Sequence, residues 1–224
     1  PLLGGDRAVR EGYRMAAAHL HDAFGACWRE RESPVWNAAS APVWKIFDRL
    51  LERPALFTSS CGRLFDAVSA LTGVCQTSDY EGEAAILLEN AAMKNSDGTR
   101  DDLYPFPFEP GPFPWVIDTR PTVRRIAGQT ANGCDSARIS GCFHNSMVNM
   151  METVCVALRE KTGIGQVCLS GGVFQNYTLV GGALERLSRR GFQVFTHARV
   201  PPGDGGLSLG QAVIAATFLR NRRT

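Results

Sequence analysis

The second half of this 224-residue sequence predicts an α/β fold. A short apolar run at Val167–Leu169 is followed by a Ser-Gly-Gly turn at 170–172, and a helical pattern begins at about Asn176. A second apolar run covers 192–196, and a last helical pattern covers about 205–220. Short apolar runs that alternate with helical patterns are typical of α/β architectures.

The first half indicates helices that are separated by loops. Apolar residues recur at helical spacing in a series of segments. The longest helix is predicted for 140–161, where several methionines form an apolar stripe of the kind that usually packs in a core. Short strands are expected at 55–58 and 115–118. The other helices are predicted at about 6–25, 43–51, 63–71 and 80–94, and from Arg120 onward.

Residues 95–114 interrupt this pattern. The segment is rich in proline, glycine and aspartate and cannot continue a helix, so we expect an insertion there. The sequence also begins without methionine, in a loop that leads into a helix. We therefore expect the chain to be a fragment or a processed piece of a longer protein.

The composition narrows the classes of function. The formal net charge is +2, and no segment is basic enough to indicate binding of nucleic acid. Seven cysteines occur without CxxC spacing, several of them in apolar runs, which is typical of a reduced, cytoplasmic protein. No apolar run approaches the roughly 18 residues that a membrane span needs, so no membrane partner is expected.

Three segments combine a strand end, a glycine turn and a helix start: 59–66, 170–176 and 201–210. Backbone N–H groups that are exposed at such turns bind anions and phosphates, assisted by the helix dipole. Glycines in these turns also serve tight packing alone. Each segment taken singly therefore leaves both interpretations open.

Two carboxylates and the histidines allow similar alternatives. Asp204, before the last helix, is either a helix N-cap or a ligand to a metal or a hydroxyl group. Asp66 lies one turn into its helix, where the helix dipole favours a carboxylate, and it is equally placed to accept ribose hydroxyls. His144 is predicted to be a structural group, and the four histidines show no metal-binding spacing.

Taken together, five motifs carry a family resemblance. "SSCGRLFDAVSALTGV", "YEGEAAILLE", "FHNSM", "CLSGGVFQN" and "PPGDGGLSLGQA" occur in the order of the C-terminal domain of HypF carbamoyltransferases, the hydrogenase maturation family. The chain resembles this family over nearly its whole length. More distantly it is similar to the TsaD family of tRNA threonylcarbamoyl transfer and to antibiotic O-carbamoyltransferases.

The resemblance implies an α/β fold that is the RNase H-like lobe of an ASKHA (actin-like ATPase) domain, with additional helices and the Pro/Gly-rich insertion at 95–114. Residues 1–54 would be a helical lead-in that belongs to the truncated preceding part of the domain. Residues 55–224 would be the nucleotide-binding lobe.

The resemblance also implies an activity. In HypF proteins an upstream YrdC-like domain makes carbamoyl-adenylate from carbamoyl phosphate and ATP. The ASKHA-type domain then transfers the carbamoyl group to the C-terminal cysteine of HypE, where it becomes a cyanide ligand of NiFe hydrogenase. The implied partners are a HypE-like acceptor and the upstream domains. The implied cofactors are ATP or carbamoyl-adenylate and a divalent metal, either Fe, Zn or Mg.

Seven site residues follow from the matching motifs, and none is assigned a catalytic role. A metal would neutralise phosphate charge and polarise the carbonyl group. The implied residues are Asp66, Gly82 and Glu83 at the ribose, Gly171, Gly172 and Asn176 along the nucleotide pocket, and Asp204 at the metal.

Two departures from the family pattern matter. Family members commonly place asparagine before the metal-binding aspartate, where this sequence has Gly203. Two metal-ligand histidines and a further aspartate belong to the family's preceding half-domain, and a single carboxylate cannot hold a metal tightly. We therefore predict that the isolated chain is catalytically inactive. Two alternatives stay open: transfer to another acceptor, such as a tRNA or a small-molecule hydroxyl, and a degenerate non-catalytic binding module.

Overall fold

The structure, a computed structural model, describes residues 1–94 and 102–221. The chain divides into two compact units, Pro1–Met150 and Met151–Thr224. The predicted boundary between 1–54 and 55–224 stays a prediction. The described helices and strands are α1 Arg7–Arg10, α2 Gly12–Phe24, α3 Ala41–Glu52, α4 Cys61–Leu71, α5 Glu83–Met93, α6 Arg120–Ala131, α7 Ser136–Thr162, β1 Gln166–Cys168, α8 Tyr177–Arg189, β2 Gln193–Phe195 and α9 Leu207–Asn221.

The predicted helices are confirmed, with one division. The expected helix at 6–25 is split into α1 and α2 at Glu11, whose backbone takes φ −99° and ψ 77°. The carboxylate of Glu11 accepts hydrogen bonds from Arg7 (2.7 Å), Tyr13 (2.5 Å) and Arg14 (2.5 Å). These bonds hold the non-helical residue in place between the two helices.

Both strands predicted in the first half are wrong. Residues 55–58 have no regular structure, and Phe57 is 72% exposed. In 115–118 only Ile117 forms a bridge, an isolated antiparallel one with Phe108. A strand needs a paired neighbour, which neither segment has along its length. In the expected insertion, residues 102–114 hold no helix, and 95–101 lie outside the described residues.

The first unit is a helical core that is built around α2. Helix α2 packs against α4 and α6, and α4 packs against α5. Small buried side chains, including Ala16, Ala17 and Ala67, allow these helices to approach closely. The approach is close at Gly12, where an added Cβ would lie 3.2 Å from the carbonyl oxygen of Asp66. The start of α2 therefore fixes the backbone of α4 at Asp66.

The second unit contains a parallel strand pair, which confirms the α/β prediction for this part of the chain. Strand β1 pairs with β2 in the register Gln166↔Gln193, and α8 connects the two strands. The ladder continues one bond further, because Leu169 N–H donates to the Phe195 carbonyl at 2.9 Å. A parallel pair needs such a helical crossover, since its two strands run in the same direction.

Helix α9 differs from the others because all its residues are exposed. A helix with apolar residues all round is typically buried in a protein core. Within the described ranges, no helix combines the length and the apolar character that a membrane span needs. The large exposed apolar side chains of α9 are Leu207, Leu209, Val213, Ile214, Phe218 and Leu219.

Candidate functional site

Asp66 is a buried carboxylate in the second turn of α4. It is 3% exposed, and its Oδ2 lies 3.0 Å from Nη2 of Arg63, one helical turn earlier. This ion pair lacks hydrogen-bond geometry. Within the described part of the chain, Asp66 Oδ2 and Arg63 Nη1 are buried without a hydrogen-bond partner. An acceptor and a donor are thus available side by side beneath the surface, and a buried polar atom of this kind calls for a partner.

The charge state of Asp66 is set by its surroundings. Burial raises the pKa of Asp66 to about 6, Arg63 acts to lower this pKa, and Glu81 raises it further. A ligand hydroxyl that donates to the carboxylate would favour its charged form and lower the pKa again. The carboxylate is therefore poised to ionise when it receives such a ligand.

The turn before α5 carries two further predicted residues. Gly82 takes φ +86°, a left-handed conformation that favours glycine. The Glu83 carboxylate accepts the backbone N–H of Asp79 at 2.6 Å, so it already has a structural role in the turn. The charge of Glu81 in the same turn acts on Asp66. The turn and Asp66 are therefore neighbours within the first unit, as the predicted ribose site requires.

Two of the three predicted glycine segments meet in the second unit. Gly171 N–H donates to the Pro202 carbonyl at 2.8 Å, which joins the loop after β1 to the loop after β2. The contact is tight at Gly203, where an added Cβ would lie 2.9 Å from Nε2 of Gln175. Gly203 thus faces the other loop directly.

The glycines of these loops have different reasons to be glycine. Gly171 takes φ +105°, and an added Cβ at Gly205 or Gly206 would lie 2.8 or 2.9 Å from atoms of Pro201. Gly172 has neither constraint, because its φ is not positive and a Cβ would meet no atom within 4 Å. Neither conformation nor packing in the described residues demands glycine at 172. An approaching ligand would therefore find open space at Gly172.

The other two predicted residues of this unit, Asn176 and Asp204, differ in their hydrogen bonding. Asn176 is 8% exposed and caps α8, its Oδ1 accepting the Leu179 N–H at 2.8 Å. Asp204 is exposed at the start of a short 3-10 turn, and no described residue forms a hydrogen bond or an ion pair with its carboxylate. The N-cap alternative for Asp204 therefore finds no support, whereas Asn176 has a structural role.

The described residues do not by themselves form a metal site. Across 1–94 and 102–221, no three His, Cys, Asp or Glu side chains come together as ligands. His144 is fully buried, with Nδ1 2.8 Å from the Ser140 carbonyl oxygen. Burial lowers the pKa of His144, and its ring contacts Phe65 edge-on at 5.4 Å. These contacts agree with the structural role that the sequence predicts for His144.

Two polar features were missed in the sequence. Arg63 could have been found from its spacing, because residues three apart lie on one face of a helix. The second feature is a contact between His197 and Ser170, with Nε2 and Oγ 2.9 Å apart. Ser170 lies four residues after Gln166 and His197 four residues after Gln193, which are register partners. Because the two residues follow paired strand positions by the same number of residues, a correct strand pairing would have predicted their contact.

Comparison with known proteins identifies the family of this chain. The family model of the carbamoyltransferase Kae1-like domain, second subdomain, matches residues 1–211. Carbamoyltransferase HypF2 of Cupriavidus necator is 36% identical over 238 residues, covering 96% of this chain and 28% of the relative. Carbamoyltransferase HypF of Synechocystis is 31% identical, covering 94% of this chain and 28% of the relative. The chain thus spans less than a third of the length of these two relatives.

Solved structures show the same fold. A crystal structure of full-length HypF in the phosphate- and nucleotide-bound form superposes with a TM-score of 0.84 at 33% identity, covering 97% of this chain and 28% of that one. The structure of T. kodakarensis HypF, at 24% identity and a TM-score of 0.82, agrees in fold. Because the family model covers nearly all of the sequence, the chain belongs to the HypF carbamoyltransferase family, as the second subdomain of its Kae1-like domain.

Proposed function

We propose that this chain is part of a cytoplasmic enzyme that transfers a carbamoyl group from carbamoyl-adenylate to the C-terminal cysteine of a HypE-like protein, in the synthesis of the cyanide ligand of NiFe hydrogenase. Family membership and the nucleotide-bound relative support this proposal. The observation that carries it is the buried Asp66 carboxylate, 3% exposed, whose Oδ2 has no hydrogen-bond partner in the described residues.

Asp66 is proposed to bind the ribose of the nucleotide. A carboxylate accepts hydrogen bonds from the two ribose hydroxyls, as acidic residues do in other nucleotide-binding folds. Arg63, 3.0 Å away, holds the carboxylate in place without filling its acceptor positions. Gly82 and Glu83 are proposed to shape the neighbouring turn rather than to accept the ribose hydroxyls, because the Glu83 carboxylate already accepts the Asp79 N–H.

The loop at Gly171 and Gly172 is proposed to receive a phosphate group. Gly171 N–H is already used by Pro202, whereas the Gly172 N–H has no acceptor in the described residues. Open space around Gly172 allows an oxygen atom to reach this donor. Asn176 supports the same loop as the cap of α8.

The proposed transfer needs more than this chain. The acceptor sulfur attacks the carbamoyl carbon, and the bond to the adenylate oxygen breaks, so that AMP leaves with the electron pair. Asp204 would contribute one carboxylate to a divalent metal, but the described residues form no site for it. The exposed apolar helix α9 and the small sheet support an RNase H-like ASKHA lobe that the rest of a longer protein completes. The isolated 224-residue chain is accordingly proposed to be inactive in transfer.

Calorimetric titration of the chain with ATP and with AMP tests nucleotide binding. We expect binding that Asp66→Ala abolishes and Asp66→Asn weakens at least about tenfold, equivalent to about 1.4 kcal/mol. Asp48→Asn is the matched control, since this carboxylate is 39% exposed and pairs with Arg29. Absence of nucleotide binding in the folded chain would favour a degenerate binding module instead.

A chimera tests transfer. In HypF2 of Cupriavidus necator, the matching segment is replaced by this chain, and labelled carbamoyl phosphate, ATP and HypE are supplied. We expect label on the C-terminal cysteine of HypE with the chimera and none with the isolated chain. Label on tRNA or on a small-molecule hydroxyl, with none on HypE, would identify the other acceptor class.

A further inference from the structure

Ser170 and His197 form a polar pair at the carboxyl ends of the two parallel strands. Oγ of Ser170 and Nε2 of His197 lie 2.9 Å apart. Both residues stand four positions beyond the register pair Gln166↔Gln193, so the strand pairing itself brings them face to face. Ligands of open α/β sheets bind outside the carboxyl ends of the strands, which is where this pair lies.

Both side chains are accessible. Ser170 and His197 are exposed, and their mutual contact is the one hydrogen bond that either side chain makes within the described residues. The charged side chains of the same loop are Arg199 and Asp204, and both are exposed. A hydroxyl that donates to an imidazole nitrogen is the arrangement by which enzymes move a proton from a nucleophile.

We propose that Ser170 and His197 form a proton relay that deprotonates the acceptor thiol during carbamoyl transfer. This inference rests on the proposed function, because Gly172, two residues from Ser170, is the proposed phosphate position. Ser170 would touch the acceptor, and His197 would act through Ser170 as a positioning and proton-accepting residue. The Ser170–His197 pair would therefore bind a thiol group of an acceptor protein.

The step balances without a co-reactant. Neutral His197 carries its proton on Nδ1, and Ser170 O–H donates to Nε2. As the thiol sulfur forms its bond to the carbamoyl carbon, its proton passes to Ser170 Oγ, and the serine proton passes to Nε2. The carbon–oxygen bond to AMP breaks, and AMP takes the electron pair. The imidazolium then loses its proton to solvent.

The alternative is a structural tie that only joins the loops after β1 and β2. The glutamine variant separates the two roles. His197→Gln retains a side chain that can hydrogen-bond with Ser170, but an amide does not take up a proton at neutral pH. A structural tie would survive this change, whereas a relay would not.

The test measures the rate of carbamoyl transfer to HypE by the Cupriavidus necator chimera, from pH 5.5 to 8.5. We expect Ser170→Ala and His197→Gln each to lower kcat/KM about 100-fold, the lower range for loss of general base catalysis. The loss of rate at acidic pH that a histidine base causes should disappear in His197→Gln. Ser188→Ala, an exposed serine on α8, is the matched control and should leave the rate unchanged.

Thermal unfolding of each chimera is measured first, which shows whether it is folded. A folded, unsubstituted chimera that gives no transfer would overturn the proposed function and the relay together. Transfer that His197→Gln leaves unchanged in rate and pH profile would overturn the relay alone. A carbamoyl group found on Ser170 by mass spectrometry would also overturn the relay, because it would make Ser170 a covalent nucleophile.

Discussion

The two units hold their candidate residues in opposite ways. In the first unit, Asp66 is 3% exposed in a helical core. Helix α2 begins close to its backbone, because a Cβ added at Gly12 would lie 3.2 Å from the Asp66 carbonyl oxygen. In the second unit, Ser170, His197 and Asp204 are exposed on loops that follow two short strands. Packing therefore fixes the first set, whereas backbone conformation and strand register fix the second.

This difference in environment determines whether a mutation changes stability, binding or both. A change near Asp66 alters stability and binding together, because a close-packed core transmits the loss of one side chain to its neighbours. A change in the loops of the second unit can alter binding while stability stays constant, because few atoms surround the changed side chain. Variants in matched pairs, one from each kind of environment, test whether this contrast holds.

The largest expected effect is at Phe65. This ring is 1% exposed and meets the ring of Phe143 edge-on at 5.0 Å, so Phe65→Ala should lower the free energy of unfolding by about 3–5 kcal/mol. Phe218→Ala in α9 is the matched control, because Phe218 is 55% exposed and should change the free energy by less than about 0.5 kcal/mol. Urea unfolding measures both. If Phe65→Ala does not fold, Phe65→Leu provides a smaller loss of the same sign.

An equal loss from Phe218→Ala would break the contrast. It would mean that α9 packs in solution against a second surface. A small effect of Phe218→Ala would instead agree with an exposed α9 that can pack against the rest of a longer protein, as the proposed function requires.

The second prediction concerns pH. Burial raises the pKa of Asp66 from 3.8 to about 6, so the native state binds more protons than the unfolded state between these values. Stability should therefore fall as the pH rises from about 4 to about 6, by at most about 3 kcal/mol. Asp66→Asn should remove this slope, and urea midpoints at successive pH values measure it. A slope that persists in Asp66→Asn would assign it to another group.

Nucleotide affinity should follow the opposite course, because ribose hydroxyls donate to the charged carboxylate. Affinity should rise as the pH passes about 6, the pKa of free Asp66, and Asp66→Asn should flatten this rise. Asp48→Asn, an exposed carboxylate, should leave both curves unchanged. Affinity that falls with pH in this range would contradict a ribose contact at Asp66.

What the sequence could predict follows from the range of each interaction. Periodicity is local, so the helices from α2 to α9 were predictable within a few residues. Pairing is not local, so 55–58 had strand-forming residues but found no partner. The motif around Asp66 pointed to a site, yet its burial depends on α2, more than 40 positions earlier.

The glycines show the same limit more finely. Sequence alone treated Gly171, Gly172 and Gly205 as equivalent members of phosphate-binding turns. The structure gives Gly171 a positive φ and packs Gly205 against Pro201, which leaves Gly172 open. These distinctions depend on the backbone conformation at Gly171 and on the packing of Gly205 against Pro201, and the residue types alone do not encode them.

A third prediction compares two glycines. Gly12→Ala places a Cβ 3.2 Å from the Asp66 carbonyl oxygen and 3.5 Å from that of Gln76, so it should cost about 1–2 kcal/mol of stability. Gly172→Ala meets no atom within 4 Å and should change stability by less than about 0.5 kcal/mol. Urea unfolding checks both. Gly172→Ala should nevertheless weaken AMP binding in calorimetry, and unchanged binding would argue against a phosphate at Gly172.

The smallest expected effect separates two carboxylates within the second unit. Glu152, 13% exposed on its side chain, accepts from Nε of Arg190 at 2.5 Å and lies 3.5 Å from Nη1 of Arg186. Glu152→Gln should cost about 1 kcal/mol, because it removes the charge from two hydrogen-bonded contacts at once. Glu185 pairs with Arg189 at the surface, with side chains 48% and 73% exposed, so Glu185→Gln should cost less than about 0.5 kcal/mol.

Salt tests the reason for this difference. An exposed pair is screened at 1 M NaCl, where the Debye length is about 3 Å, so any effect of Glu185→Gln should vanish there. The effect of Glu152→Gln should persist in part, because the carboxylate is partly shielded from solvent and holds α7 to Arg186 of α8 and to Arg190, the residue after α8. Equal salt dependence for both variants would show that α7 and α8 are as open to water at this point as the loops are. The ion pairs of Glu152 would then differ more strongly from the buried pair at Asp66, and the contrast between the two environments would be greater.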